Sequence, residues 1–132
     1  MSTALELSGA RVDRIEITDD AAVVHFPHVY VHRSRGKSRG RPGRGHGSGW
    51  SQEAILTLRA PVSADNLPPL PDTVADGWLE VGGIRHEMIP LPFRRKVPGR
   101  LFLALDGGAR VDITGHAPLL ELVGAPKFLQ DY

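Results

Sequence analysis

The chain has 132 residues, of which 41% are hydrophobic and 23% are charged, with fifteen glycines, eleven prolines and no cysteine. This length favours one domain, and the apolar fraction suffices for a packed core and excludes wholesale disorder. The lack of cysteine excludes disulfides, thiolate metal sites and cysteine nucleophiles. No apolar run approaches the ~20 residues of a membrane helix, and the N-terminus does not resemble a secretory signal. We therefore expect a cytoplasmic location and no membrane partner.

The formal net charge of +1 conceals a strong asymmetry. The remainder of the chain has ten basic and fifteen acidic residues, a balance of −5, once the six cations between His32 and Trp50 are set aside. Those six are Arg33, Arg35, Lys37, Arg39, Arg41 and Arg44. Such a concentrated basic segment indicates an interaction surface or a solvated loop rather than part of a core.

Strand patterns occupy the first half of the chain. In Arg11–Thr18 two isoleucines alternate with charged residues, which predicts a strand, and Asp19-Asp20 then favours a turn. Ala22–His32 is rich in β-branched and aromatic residues, and Pro27 within it predicts an edge strand or a bulge because proline cannot donate to a sheet ladder. Strand-like composition resumes over Trp50–Ala60. The last two segments are therefore predicted to be the arms of a long hairpin.

The tip of this hairpin is the glycine- and arginine-rich stretch from Ser34 to Gly49, which contains no apolar anchor. Because such a stretch cannot offset its ordering entropy by burial, we expect a mobile basic loop at 34–49. Long loops without structure in compact domains are usually functional or disordered.

The second half begins with a proline-rich segment, 61–76, which predicts a connector. Gly82-Gly83 predicts a two-residue type I′ hairpin turn, with Val81 opposite Ile84 and Glu80 opposite Arg85. Gly107-Gly108 predicts a second turn of the same design. Pro118–Val123 is expected to be a last short strand, and 125–132 a tail or a single helical turn.

These elements predict a single all-β domain over residues 1–132, either an antiparallel β-sandwich or a small β-barrel of about seven or eight strands. No stretch shows a sustained helical period, so parallel βαβ architecture is not expected.

Motifs for catalysis or cofactor binding are weak. Gly36-Lys37-Ser38 lacks the upstream glycine and following helix of a phosphate-binding loop, and Ser48 lacks the flanking glycines of a nucleophile elbow. His28 and His32 lie four apart on a strand, ~13 Å, which is too far to share one metal ion. Among the carboxylates only Asp112, between Val111 and Ile113, is a candidate for a buried side chain. We predict no catalytic residues, no metal and no cofactor, and do not favour an enzyme.

Two binding functions remain, besides a small-ligand-binding or hydrolytic barrel without a recognisable motif. The first is a protein-interaction or self-associating module, a homo-oligomer built through edge strands, with apolar patches from Trp78, Ile84, Leu91 and Phe93 where these are exposed. The alternative is a nucleic-acid or other polyanion site in which the six cations bind phosphates and aromatic side chains stack on bases. The stacking surface would comprise a His28, Tyr30 and His32 face, with Trp50 at the far end.

Shortening the loop between Ser34 and Gly49 to a Gly-Ser turn is expected to change stability little. Loop-closure entropy depends weakly on length, at ~0.6 kcal/mol per doubling. The midpoint of urea unfolding measures this. A large fall in the midpoint would show that the loop packs on the body.

Overall fold

The computed structural model describes residues 2–34 and 47–132, and all regular secondary structure in them is strand. The strands are β1 (Ser2–Val12), β2 (Arg14–Ile17), β3 (Ala21–Ser34), β4 (Gly47–Ala64), β5 (Asp72–Val81), β6 (Ile84–His86), β7 (Met88–Leu91), β8 (Phe93–Arg94), β9 (Pro98–Leu105) and β10 (Arg110–Asp131). Within these residues there is no helix of the length and hydrophobicity needed to cross a bilayer.

Six strands close into an antiparallel barrel in the order β1-β3-β4-β10-β9-β5. Closure depends on β1, which changes partner along its length. Ser2–Glu6 pair with the end of β3, whereas Arg11 and Val12 pair with the start of β5. The four short strands add to this ring: β2 pairs with β3, β6 with β5, β7 with β1 and β8 with β10. The all-β prediction is thus confirmed, and the barrel is the form adopted.

Inward-facing apolar residues fill the barrel, as strand alternation requires. Its largest fully buried side chains include Phe26, Phe93, Leu5 and Leu7. Each barrel strand contributes to this one cluster. Phe93, a residue considered for an exposed patch, is therefore part of the core.

The first of the two predicted glycine hairpins is confirmed, and the second, at Gly107-Gly108, is wrong in its turn type. Gly82 and Gly83 have φ of +59° and +78°, the values that a type I′ turn needs and that glycine adopts without strain. Val81 lies opposite Ile84, and Glu80 opposite Arg85. Gly107-Gly108 differs, since only Gly108 has a positive φ and Leu105 N–H bonds to the Ala109 carbonyl. This loop has three residues rather than two.

The predicted bulge at Pro27 is also confirmed, because the pairing of β3 with β4 shifts register between Phe26 and Val29. Beyond it Val29 and Val31 are buried, as expected, and His28 is exposed. β3 and β4 form the predicted hairpin arms, with Ser34 opposite Gly47.

Several predicted boundaries are wrong. The connector is shorter than 61–76, since β4 continues to Ala64 and β5 begins at Asp72. The strands also extend into the predicted loop, so that Ser34 and Gly47–Gly49 are paired strand residues. The rest of that loop, 35–46, lies outside the described residues.

The largest correction concerns the C-terminal segment. β10 is one strand of 22 residues that contains both the predicted short strand and the predicted tail. Its pairing with β4 breaks between Val123 and Lys127 and then resumes. Gln52, a buried polar residue, donates from Nε2 to the Gly124 carbonyl at 2.7 Å within this break. The prolines and glycines of β10 therefore mark irregularities in its pairing with β4 rather than ends of the strand.

Asp112 lies on the outer face of the barrel and is not deeply buried. Its carboxylate accepts two hydrogen bonds from Arg100, from Nε at 2.9 Å and from a terminal nitrogen at 2.6 Å. These bonds lower the pKa of Asp112 below its ordinary value. Its role is an ion pair that links β9 to β10.

The Asp112 pair predicts a loss of stability in acid. A carboxyl group whose pKa is lower in the folded state stabilises fully above its unfolded pKa, about 3.9, and loses that contribution as the pH falls towards the folded value. Asp112→Asn is expected to lower stability at pH 7 and to flatten the decline below about pH 4. Urea unfolding from neutral to acid pH measures both, and parallel curves for the two proteins would contradict the pairing.

Candidate interaction surface

The ends of β3, β4 and β10 form a small sheet at one end of the barrel. Gly49 in the central strand pairs with His32 on one side and with Gln130 on the other. β1 and β7 extend the sheet beyond β3. The two ends of the cation-rich segment, Ser34 and Gly47, lie opposite each other at its rim. This sheet therefore joins the basic segment to the barrel.

One surface of this sheet, here the tyrosine face, carries Tyr30, His32, Gln130 and Tyr132. Gln130 Nε2 donates to the Tyr30 hydroxyl at 2.8 Å, and a second hydrogen bond of 2.9 Å joins the Tyr132 hydroxyl to His32 Nδ1. Both bonds pass from β3 to β10 above β4. The three rings form a row, with centroids 4.5 Å apart for Tyr30 and His32 and 5.8 Å for His32 and Tyr132.

Two glycines in β4 make this arrangement possible. A Cβ atom at Gly49 would overlap the Tyr30 hydroxyl, and one at Gly47 would lie 2.6 Å from Tyr132 Cε2. Each tyrosine thus crosses the central strand where that strand has no side chain. Tyr132 remains 53% exposed. The result is a row of three aromatic rings, tilted by 53° and 68° to their neighbours, in which both tyrosine hydroxyls form hydrogen bonds.

The electrostatics of the tyrosine face centre on Tyr132 and the charged groups near it. Burial, together with the nearby Tyr30 and Glu6, raises the pKa of Tyr132 above its ordinary value. The hydroxyl therefore stays protonated at neutral pH. Glu6 Oε1 lies 3.7 Å from His32 Nε2, and Lys127 aligns with Ser51 and Tyr30 across the strands.

The structure separates the residues predicted to form one stacking surface. Tyr30 and His32 are together, whereas Trp50 is opposite the buried Val31 and so occupies the other face of the sheet. There the Arg33 guanidinium lies 4.9 Å from the Trp50 ring centroid. His28 is exposed and pairs with Arg11 of β1, beyond the break in register. The five other predicted phosphate-binding cations, Arg35, Lys37, Arg39, Arg41 and Arg44, lie outside the described residues.

The Trp50 side of the sheet is apolar and extends to the β10 edge. Trp50 and Phe128 make an edge-to-face contact with centroids 5.2 Å apart, and Phe128 and Leu129 are each 48% exposed. On this side of the barrel lies an open groove of about 510 Å³. Its lining is mostly apolar, with Arg33 and Arg94 at its margins.

A larger depression of about 730 Å³ lies between β4, β9, β10 and the Gly82-Gly83 turn. Its lining includes Glu80, Arg100 and His116. The Arg100 guanidinium in this lining is already paired with Asp112.

In the described ranges, no three histidine, aspartate or glutamate side chains are close enough to hold a metal ion. Comparison with known proteins gives no match to any family model, curated protein or solved structure.

Gln130 and Tyr132 were missed because residues 125–132 were predicted to be a tail. The signal that could have identified a strand here is the alternation of polar and apolar side chains. From Lys127 to Tyr132 this alternation is imperfect, because Phe128 and Leu129 are adjacent. The structure explains this irregularity by a register shift between Phe128 and Gln130. A bulge conceals the alternation that identifies a strand.

Gly49→Ala tests the geometry of the tyrosine face. The new methyl group displaces the Tyr30 ring and breaks its hydrogen bond with Gln130, so we expect a loss of about 1 kcal/mol of unfolding free energy. In a Tyr30→Ala background the same change should cost almost nothing. Urea unfolding of the wild type, the two single variants and the double variant gives the coupling energy between Gly49→Ala and Tyr30→Ala. Equal costs in both backgrounds would show that Tyr30 does not occupy the space above Gly49.

Proposed function

We propose that this barrel is a protein-interaction module that self-associates through the free edge of β10. The observation that carries the proposal is the pairing of this strand. Its first part pairs with β9, and Leu119 and Leu120 pair with β8. Among residues 2–34 and 47–132, the remainder from Glu121 has β4 as its only partner strand. The C-terminal part of β10 is therefore an open sheet edge.

Backbone groups along this edge are available to a further strand. Tyr132 exchanges both its N–H and its carbonyl bond with Gly47, at 2.9 and 3.0 Å. Because bonded and non-bonded residues alternate in an antiparallel pair, the N–H and carbonyl of Asp131 point away from β4. Unpaired edge groups of this kind are templates for pairing with another chain.

The side chains support the same conclusion. Phe128, Leu129 and Tyr132 expose about half of their surface on this edge. Other edges in the described chain are blunted by their length, since β2, β6, β7 and β8 have four residues or fewer. Pro126 and Lys127 limit new pairing to 128–132. This short run, in which Phe128, Leu129 and Tyr132 flank two polar residues, fits a reversible contact.

A second copy of the chain is the occupant that best matches this edge. Two copies related by a two-fold axis bring identical edges together in antiparallel orientation, so each supplies the donors, acceptors and apolar side chains that the other needs. The contact would join the two barrels through one continuous sheet. It requires no catalytic group.

We further propose that the protein acts in the cytoplasm. Support comes from its composition, since a chain of this size without cysteine needs no oxidising compartment to fold.

Leu129→Lys is expected to abolish self-association. Lysine on an edge strand opposes edge pairing, and here it replaces an exposed apolar side chain that the contact would bury. The fold should survive, because Leu129 is half-exposed and has no partner in β4. Light scattering during gel filtration, over a range of protein concentrations, measures the molar mass.

Ile84→Lys is the matched control, since Ile84 is 61% exposed but belongs to the β5–β6 hairpin. It should dimerise like the wild type. A wild-type protein that stays monomeric at every concentration would refute self-association, as would a Leu129→Lys variant that dimerises normally.

A further inference from the structure

We infer that the tyrosine face is a binding site for single-stranded nucleic acid, on which bases stack against Tyr30, His32 and Tyr132. This inference goes beyond self-association, because it concerns the surface of the sheet rather than its edge. It stands on the geometry of the three rings and the glycines beneath them.

The rings lie on one surface of the sheet, tilted by 53° between Tyr30 and His32 and by 68° between His32 and Tyr132. The tyrosines cross β4 at Gly47 and Gly49, with no intervening side chain to lift them from the sheet. Antiparallel sheets that bind single strands present two or three aromatic rings in this way. The row of Tyr30, His32 and Tyr132, with neighbouring centroids 4.5 and 5.8 Å apart, provides three.

Hydrogen bonds fix the rings before a ligand arrives. Gln130 donates a hydrogen bond to the Tyr30 hydroxyl, and a second hydrogen bond joins His32 to the Tyr132 hydroxyl. A side chain that is already ordered loses less entropy on binding, so preorganisation increases affinity. Neither hydroxyl is required to leave its partner for a base to stack on the ring.

The surrounding charge favours a polyanion. Lys127 lies in the same cross-strand row as Tyr30, and its ammonium group is available to a phosphate. The sequence adds five cations between Ser34 and Gly47, the two residues at the rim of this face. Their charge raises the local concentration of an anionic chain, while the rings select a ligand that has bases. Glu6 is the opposing charge on this face, near His32.

The decisive experiment is a fluorescence-anisotropy titration of the full chain with labelled oligothymidylate at low salt. Tyr132→Ser and Tyr30→Leu should each weaken binding roughly tenfold, because each removes a stacking ring. Tyr132→Phe retains the ring but loses the hydrogen bond with His32, so it should weaken binding less than Tyr132→Ser does. Gly49→Ala retains Tyr30 but displaces its ring, and should weaken binding although no ligand-contacting side chain is lost.

Inorganic polyphosphate, used as an unlabelled competitor, distinguishes stacking from charge. It should compete with oligothymidylate, but its own affinity should not depend on either tyrosine. Amide NMR signals of residues 30–32 and 130–132 should shift on addition of oligothymidylate, which reports the site in any variant that folds. Absence of wild-type binding at low salt would overturn the inference, as would a Tyr132→Ser variant with unchanged affinity.

Discussion

The change of partner within β1 is the constraint on which the rest of the structure depends. Its first half pairs with β3 and its last two residues pair with β5, so one strand joins the two ends of the sheet. Without this junction, β3 and β5 would both present long open edges, and the apolar faces of the six strands would not enclose a common core. Closure removes those edges and fixes the strand order. It also leaves the end of β3 in place to support the sheet that carries both candidate surfaces.

Sequence patterns predicted features that depend on a few neighbouring residues. Gly82-Gly83 predicted the hairpin turn and the register of its strands, because both depend only on the backbone angles of these two glycines. Pro27 likewise indicated a bulge that the pairing of β3 confirms. The extent of β10 could not be predicted in this way. Pro118, Gly124 and Pro126 resemble breaks, and only the distant partner strand β4 determines that pairing resumes after them.

The same limit applies to the interaction surface. Alternation placed Tyr30 and His32 on one face correctly, because both lie on one strand after one bulge. Assigning Trp50 to that face required the register between two strands, and the observed pairing of Trp50 with Val31 puts it on the opposite side. Gln130 and Tyr132 come from a strand nearly a hundred residues away in sequence. The roles of Gly47 and Gly49 follow only from that strand's position, since a glycine-rich sequence alone suggests flexibility rather than a seat for an aromatic ring.

The position of β10 has a consequence for biosynthesis. The first part of this last strand lies between β4 and β9, inside the barrel wall. During translation, the earlier strands emerge from the ribosome with two edges exposed and no partner to separate them. The barrel can close only after residues 110–131 have been released, so early compact states lack an essential part of the core. Slow, non-local pairing of this kind exposes apolar surface and makes folding intermediates prone to aggregation. Nascent chains of this protein are therefore expected to expose apolar surface until synthesis of β10 is complete.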